Sequence, residues 1–216
     1  MKNESMRVVL GSLLLSIMLV ACSGTAASNA SSGSTVSGMH PSGNPTASIN
    51  AYNDPMTKSL QGLRGKDFEI TFLQEMIVHH QSAIVMAQLV PTHTKRPELN
   101  TLAKSIITEQ SGEIAKMITW LKQWYHEKPP ADAMSVPGMM EMMGAMDALS
   151  SAQGASFDKQ FTTMMIQHHD QGVSMAQLIP QRTTQPTLIQ LGQTMMKTQS
   201  AEILQMKSWQ QQWFKS

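Results

Sequence analysis

Met76-Ile77-Val78-His79-His80, followed by Met86-Ala87-Gln88-Leu89-Val90-Pro91, recurs 89 positions later as Met165-Ile166-Gln167-His168-His169 and Met175-Ala176-Gln177-Leu178-Ile179-Pro180. Each copy leads into a second stretch with Gln, Glu, Met and two Trp in matching register. These are Gln110, Glu113, Met117, Trp120 and Trp124 in the first copy and Gln199, Glu202, Met206, Trp209 and Trp213 in the second. A self-similar unit of this length is one supersecondary element used twice. Its apolar residues recur at helical spacing, and no sustained period-two alternation bounded by turns marks a strand.

The pattern predicts four helices. The first runs from about Asp67 to Val90 and stops before Pro91; the second begins near Pro97, a residue suited to a first helical turn, and runs to about His126, ended by Pro129-Pro130. The third runs from about Ser156 to Ile179, before Pro180, and the fourth from Pro186 to the C-terminus. Short connections make the helices of each hairpin antiparallel neighbours. Neither hairpin can bury its apolar stripe alone. An all-α four-helix bundle built from two tandem repeated helical hairpins, with internal pseudo-two-fold symmetry, is therefore expected. In this partition residues 56–216 form the duplicated domain, with repeat one over 67–126, a Met-rich linker over 127–155 and repeat two over 156–216.

Helical projection places polar residues where a core is expected. With Met76 at zero, Phe72, Ala83, Ala87 and Val90 fall within about 40°, while His79 and His80 flank that stripe and Met86 lies on the His79 side. The third helix repeats this with Met165, His168, His169 and Met175. On the second helix Gln110 shares the stripe of Leu99, Ala103, Ile106, Met117, Leu121 and Trp124, with Glu113 beside it. Four His, two Glu and two Gln on core stripes need partners, because burying such groups alone is costly. Mutual hydrogen bonding is one explanation and metal ligation, with Glu or Gln orienting the His, is the other and the favoured one. Adjacent His diverge by about 100° on a helix, so one ring of each pair is expected to face a site and the other to pack or serve a second position. Met76 with His79 or His80, Met165 with His168 or His169, Glu113 with Met117, and Glu202 with Met206 stand three or four residues apart and can reach a common ion.

Composition narrows the chemistry. Methionine makes up 20 of 216 residues, and it serves both as a flexible core filler and as a thioether ligand for Cu(I). A net charge of +1 gives no nucleic-acid or membrane-surface footprint. Lys2 and Arg7 precede an apolar run from Val8 to Ala21, which is too short for a membrane span and reads as a signal peptide over 1–21. It ends in Leu19-Val20-Ala21-Cys22, a bacterial lipoprotein cleavage box. The single Cys of the chain is thus expected to be lipidated, anchoring an exported protein to the cell envelope and leaving no thiol for disulfides or metal. Residues 22–55 read as a Ser/Gly-rich tether in which Met39-His40 is a linker pair rather than a metal contact. Met134, Met139, Met140, Met142, Met143 and Met146 crowd the linker at helical spacing, either as a lid or as a thioether-rich capture segment. The four Trp are expected to pack core and bundle ends, and His93 and His126, lacking repeat partners, to be structural or solvent-facing.

The blocks MIVHHQSAIVMA and MIQHHDQGVSMA, each with a downstream Q-x-x-E-I-x-x-M segment, resemble the domain of unknown function 305 family over roughly residues 55–216. The resemblance implies a ferritin-like helical fold, and for some members an exported copper-binding role in metal resistance. Carried over, it puts His79, His80, Met76 and Met86, with His168, His169, Met165 and Met175, in the binding set. Gly138-Met139-Met140 matches a Met-containing linker of the family.

Three functions compete. The first is an exported copper-binding protein, favouring Cu(I) with Cu(II) or Ag(I) as further cargo, that sequesters the metal or passes it to a partner protein. Thioethers and imidazoles without thiolate suit that metal in an oxidising compartment. The second is a ferritin-like di-metal oxidoreductase, which needs Glu-x-x-His on two helices. Glu75 stands four before His79 and its counterpart is Met164, so binding without catalysis is expected. The third is a bundle whose His pairs only build structure or bind a partner.

Overall fold

The computed structural model describes residues 54–215. The signal peptide, Cys22 and Met39-His40 lie outside the described residues. The described chain is helical: α1 (Pro55–Gln61), α2 (Gly65–His93), α3 (Pro97–Trp120), α4 (Met139–Ser151), α5 (Gly154–Gln177), α6 (Ile179–Arg182) and α7 (Pro186–Trp213). The four long helices α2, α3, α5 and α7 form the bundle, α2 packing with α3 and α5 with α7 as the two repeated hairpins. Among the described residues no helix is long and apolar enough to cross a membrane.

The expected ends need correction at both internal prolines. α2 runs through Pro91 to His93, and the chain closes with Thr94 N–H on Val90 O. Proline removes one helical donor, and in the last turn that loss is small because few bonds follow it. In the second repeat the helix stops earlier, at Gln177. Leu178 N–H bonds Met175 O in a tight turn, and Pro180 then opens the four-residue α6. α3 continues into a π-helical turn, Leu121–Tyr125, capped by His126 in the left-handed region (φ 59°).

α1 and α4 were not counted in the four-helix scheme, and both cover the core. Met56 and Leu60 of α1 join the cluster of Phe68, Phe72, Leu73 and Met76 at one end of the bundle. Met146 and Leu149 of α4 join Phe157, Phe161, Met86 and Leu99 at the other. Each Trp pair stacks at a bundle end, with ring centroids 5.1 Å apart for Trp120–Trp124 and 5.2 Å for Trp209–Trp213. Packing is not the whole role of the second pair. The Arg96 guanidinium lies 3.9 Å over the Trp213 ring while its Nε donates to buried Asp158 at 2.7 Å. His93 ties α2 to α4, its Nε2 lying 3.0 Å from Ser150 O, and it packs on Phe157.

The N-terminal half of α2 shares a cluster with the C-terminal half of α5, and the reverse holds at the other end. The two repeats are therefore antiparallel across a pseudo-two-fold axis. On each long helix the passage from one apolar cluster to the other falls at a polar residue: His79-His80 on α2, Gln110 and Glu113 on α3, His168-His169 on α5, Gln199 and Glu202 on α7. The sequence repeat thus becomes a polar layer across the middle of an apolar bundle.

Candidate metal centre

His79 and its repeat counterpart His168 stack at the middle of the layer, ring centroids 3.7 Å apart and planes 26° from parallel. His80 Nε2 lies 2.7 Å from Glu113 Oε2, and His169 Nε2 lies 2.7 Å from Glu202 Oε2. The first pair is a hydrogen bond; the second is at ion-pair distance but is poorly aligned for one. All four rings are buried. The pair members thus divide, one ring at the centre and its neighbour turned to the second helix of its own hairpin.

Acceptors fix where the protons sit. A carboxylate or a carbonyl can only accept, so a neutral ring beside one must present N–H to it. A neutral His80 ring therefore carries its proton on Nε2, facing Glu113, while His169 Nε2 stands at ion-pair distance from Glu202. His168 Nε2 likewise donates to His79 O at 2.8 Å, with Ser82 Oγ at 3.0 Å. In all three rings Nδ1 has no protein partner; neither nitrogen of His79 has one, and His169 Nε2 has no hydrogen-bond partner either. Gln110 Oε1 and Gln199 Oε1 are also buried without a partner. Each such group costs about 1–3 kcal/mol when nothing satisfies it. Their accumulation on one level is the pattern of metal-ligating histidines, which give one nitrogen to a carboxylate or carbonyl and the other to an ion.

Electrostatics keep the central rings neutral. Burial, then the neighbouring His168, His80 and His169 rings, hold His79 well below its ordinary 6.5. Burial, with His169 and His80, does the same to His168. At neutral pH both rings can offer lone pairs without first losing a proton.

The thioethers sit on either side of the layer. Met76, Met117 and Met175 lie in one apolar cluster and Met86, Met165 and Met206 in the other. Met76 and Met165 are fully buried beside their histidines in sequence. Glu75 is elsewhere: Ser59 of α1 donates to both its carboxylate oxygens, at 2.8 and 2.9 Å. Among the described residues no three His, Cys, Asp or Glu side chains stand close enough to hold one ion, so neither a three-histidine nor a multi-carboxylate cage is built here.

Two participants escaped the sequence reading. Ser82 reaches His168, but its repeat counterpart is Gln171, so the duplication did not mark it. Gly172 makes room for the layer: a Cβ there would lie 2.6 Å from Gln199 Oε1 and 3.1 Å from His79 Cε1. Its counterpart in the first repeat is Ala83. Replacing a helix-interior Gly by Ala normally stabilises by about 0.5–1 kcal/mol. Gly172→Ala is expected instead to destabilise by about 1 kcal/mol, because buried Gln199 must move. Urea unfolding checks this, and a raised midpoint would mean that the layer is loosely packed.

The family model described as a domain of unknown function, DUF305, matches residues 23–121 and 69–210. The chain belongs to the DUF305 family. Solved structures agree. CopM in its Cu(I)-bound form is 39% identical, with a TM-score of 0.59, over 68% of this chain and 98% of that one. CopM in an Ag-bound form is 38% identical, with a TM-score of 0.59, over 68% of this chain and 97% of that one. A DUF305 protein from Streptomyces coelicolor is 30% identical, with a TM-score of 0.56, over 66% of this chain and 90% of that one. No protein of curated function matches the chain.

Proposed function

We propose that this DUF305 protein is an exported, envelope-anchored carrier of copper. It holds Cu(I), with Ag(I) as a chemical equivalent, in the central histidine layer for sequestration or transfer, and it catalyses no reaction. The observation that carries the reading is the set of buried Nδ1 atoms on His80, His168 and His169, each ring being oriented through Nε2 by an oxygen. Met76, Met86, Met117 and their counterparts Met165, Met175 and Met206 bring polarisable sulfur to both sides of that layer, and imidazole with thioether suits Cu(I). Related CopM has been solved with Cu(I), Cu(II) and Ag bound, which supports the same cargo here. Export and lipidation at Cys22 rest on the basic and apolar leader ending at Cys22.

The full chain is expected to withhold at least one equivalent of Cu(I) from a Cu(I)-selective bathocuproine chelator under anaerobic conditions. Complete transfer of copper to the chelator would reject the proposal. A di-metal oxidase is the weaker reading, since Glu75 is committed to Ser59. Ferric absorbance after Fe(II) loading and an oxygen pulse would favour it.

A further inference from the structure

The seam between the N-terminal ends of α1 and α4 holds a cavity of about 520 Å³. Its walls include Met86 from α2, Met142 from α4, and Met164 and His168 from α5. Met142 and Met164 are half-buried, whereas Met86 and His168 are buried. Exposed Pro55 and Glu141 border the cavity, so it reaches solvent, and carboxylates of Asp54, Glu141 and Asp170 give its rim negative charge. His168 belongs to both places: it lines this cavity and stacks on His79 in the central layer.

Methionine as mere filler accounts poorly for this arrangement. A filler closes space, and here three thioether side chains from three helices border a cavity that remains open. α4 also carries Met140 and Met143 on its outer side, 74% and 41% exposed, where they fill nothing. The duplication supplies a control. The counterpart of Met164 is Glu75, which Ser59 of α1 closes off, and the counterpart of Met86 is Met175, sealed in the apolar cluster. Among the described residues the other repeat does not reproduce this set of thioethers, so the repeated packing scheme does not require it.

We propose that this cavity is a second site for a soft monovalent cation, Cu(I) or Ag(I), distinct from the duplicated layer. Met86, Met142 and Met164 supply the sulfurs, and the His168 ring walls them off from the layer that its Nδ1 serves. Neutral thioethers discriminate against hard divalent ions, which want oxygen, while the acidic rim raises the local concentration of cations. Because His168 is shared, an ion taken up from solvent stands one residue from the centre. The inference rests on the cargo of the proposed function and shares Met86 and His168 with the layer, while Met142 and Met164 belong to the cavity alone.

The test uses the full chain labelled with methyl-13C methionine and titrated anaerobically with Ag(I), a diamagnetic probe. The methyl signals of Met142 and Met164 are expected to shift with the first equivalents added. The Met142→Leu/Met164→Leu variant, which keeps apolar bulk at two half-buried positions, should bind one Ag(I) fewer per chain. In that variant the ring nitrogens of His80 and His169 should still respond. Unshifted methyl signals, or an unchanged stoichiometry in the variant, would overturn the second site. Shifts at Met142 and Met164 with no response at His80 or His169 would uphold it and reject the central layer instead.

Discussion

The variant His79→Leu/His168→Leu is expected to lose at least about 100-fold in Cu(I) affinity at the central layer while becoming no less stable without metal. The two rings are stacked and buried, and together they leave three ring nitrogens without a protein partner. Removing a group that only orients a metal ligand already costs about 10–100-fold in affinity, so removing two ligands costs more. Stability moves the other way. Replacing buried, unpartnered polar groups by hydrocarbon of similar size is neutral or favourable, by about 1–2 kcal/mol here. The one bond lost from the backbone, His168 Nε2–H to His79 O, leaves that carbonyl still accepting from Ser82 Oγ at 2.6 Å. Chelator competition reads the affinity and urea unfolding reads the stability. A variant that kept its affinity would place the copper elsewhere; a variant that unfolded early would make the histidines structural.

Acid is expected to unfold the metal-free chain steeply, in a way these same rings determine. In the unfolded chain His79 and His168 titrate near 6.5, whereas the folded rings resist protonation well below that. Below pH 6.5 the unfolded state therefore binds two protons that the native state does not. Stability falls as pH falls, by about 2.7 kcal/mol per pH unit for the pair. Glu75 acts in the opposite direction. Burial pushes its carboxyl up to about 7 from an ordinary 4.5, with Asp54 adding to the rise against the Ser59 hydrogen bond. Between pH 4.5 and 7 the native state thus holds a proton that the unfolded chain has released, and this contribution grows as pH falls. Asp170, half-buried and raised chiefly by its burial, works in the same direction. The sum of the two histidines and Glu75 is a shallow stability maximum near pH 6.5. Below it stability falls as pH falls, and more steeply below pH 4.5, where Glu75 is protonated in both states and no longer opposes the histidines. Glu75→Gln should double the slope between pH 4.5 and 6.5, and His79→Leu/His168→Leu should reverse it, because Glu75 alone then stabilises the native state as pH falls. A profile identical in all three chains would contradict the assigned burial of the rings.

The bundle and its polar layer were legible because duplication writes the same constraint twice. His79-His80 and His168-His169, with Gln110, Glu113, Gln199 and Glu202, fall on core stripes at matching depth, and that periodicity survives folding. Features outside the repeat were harder to read. The seven-residue α1 is too short to show a helical period, yet Met56 and Leu60 close one end of the core and Ser59 hydrogen-bonds Glu75. α4 showed its period in Met139, Met142, Met143 and Met146, but only packing reveals that Met146 faces the core and Met142 a cavity. Ser82 and Gly172 act through tertiary contacts at positions where the two copies differ. The division of the methionines between two clusters follows from the antiparallel relation of the repeats, which no single helix encodes.

The most direct test follows the imidazole nitrogens themselves, in 15N-histidine-labelled full chain titrated with Cu(I) or Ag(I). The account predicts large shifts at Nδ1 of His80, His168 and His169, with their Nε2 atoms remaining protonated against Glu113, His79 O and Glu202. Ligation through Nε2, or ring signals that do not change while metal binds, would contradict it.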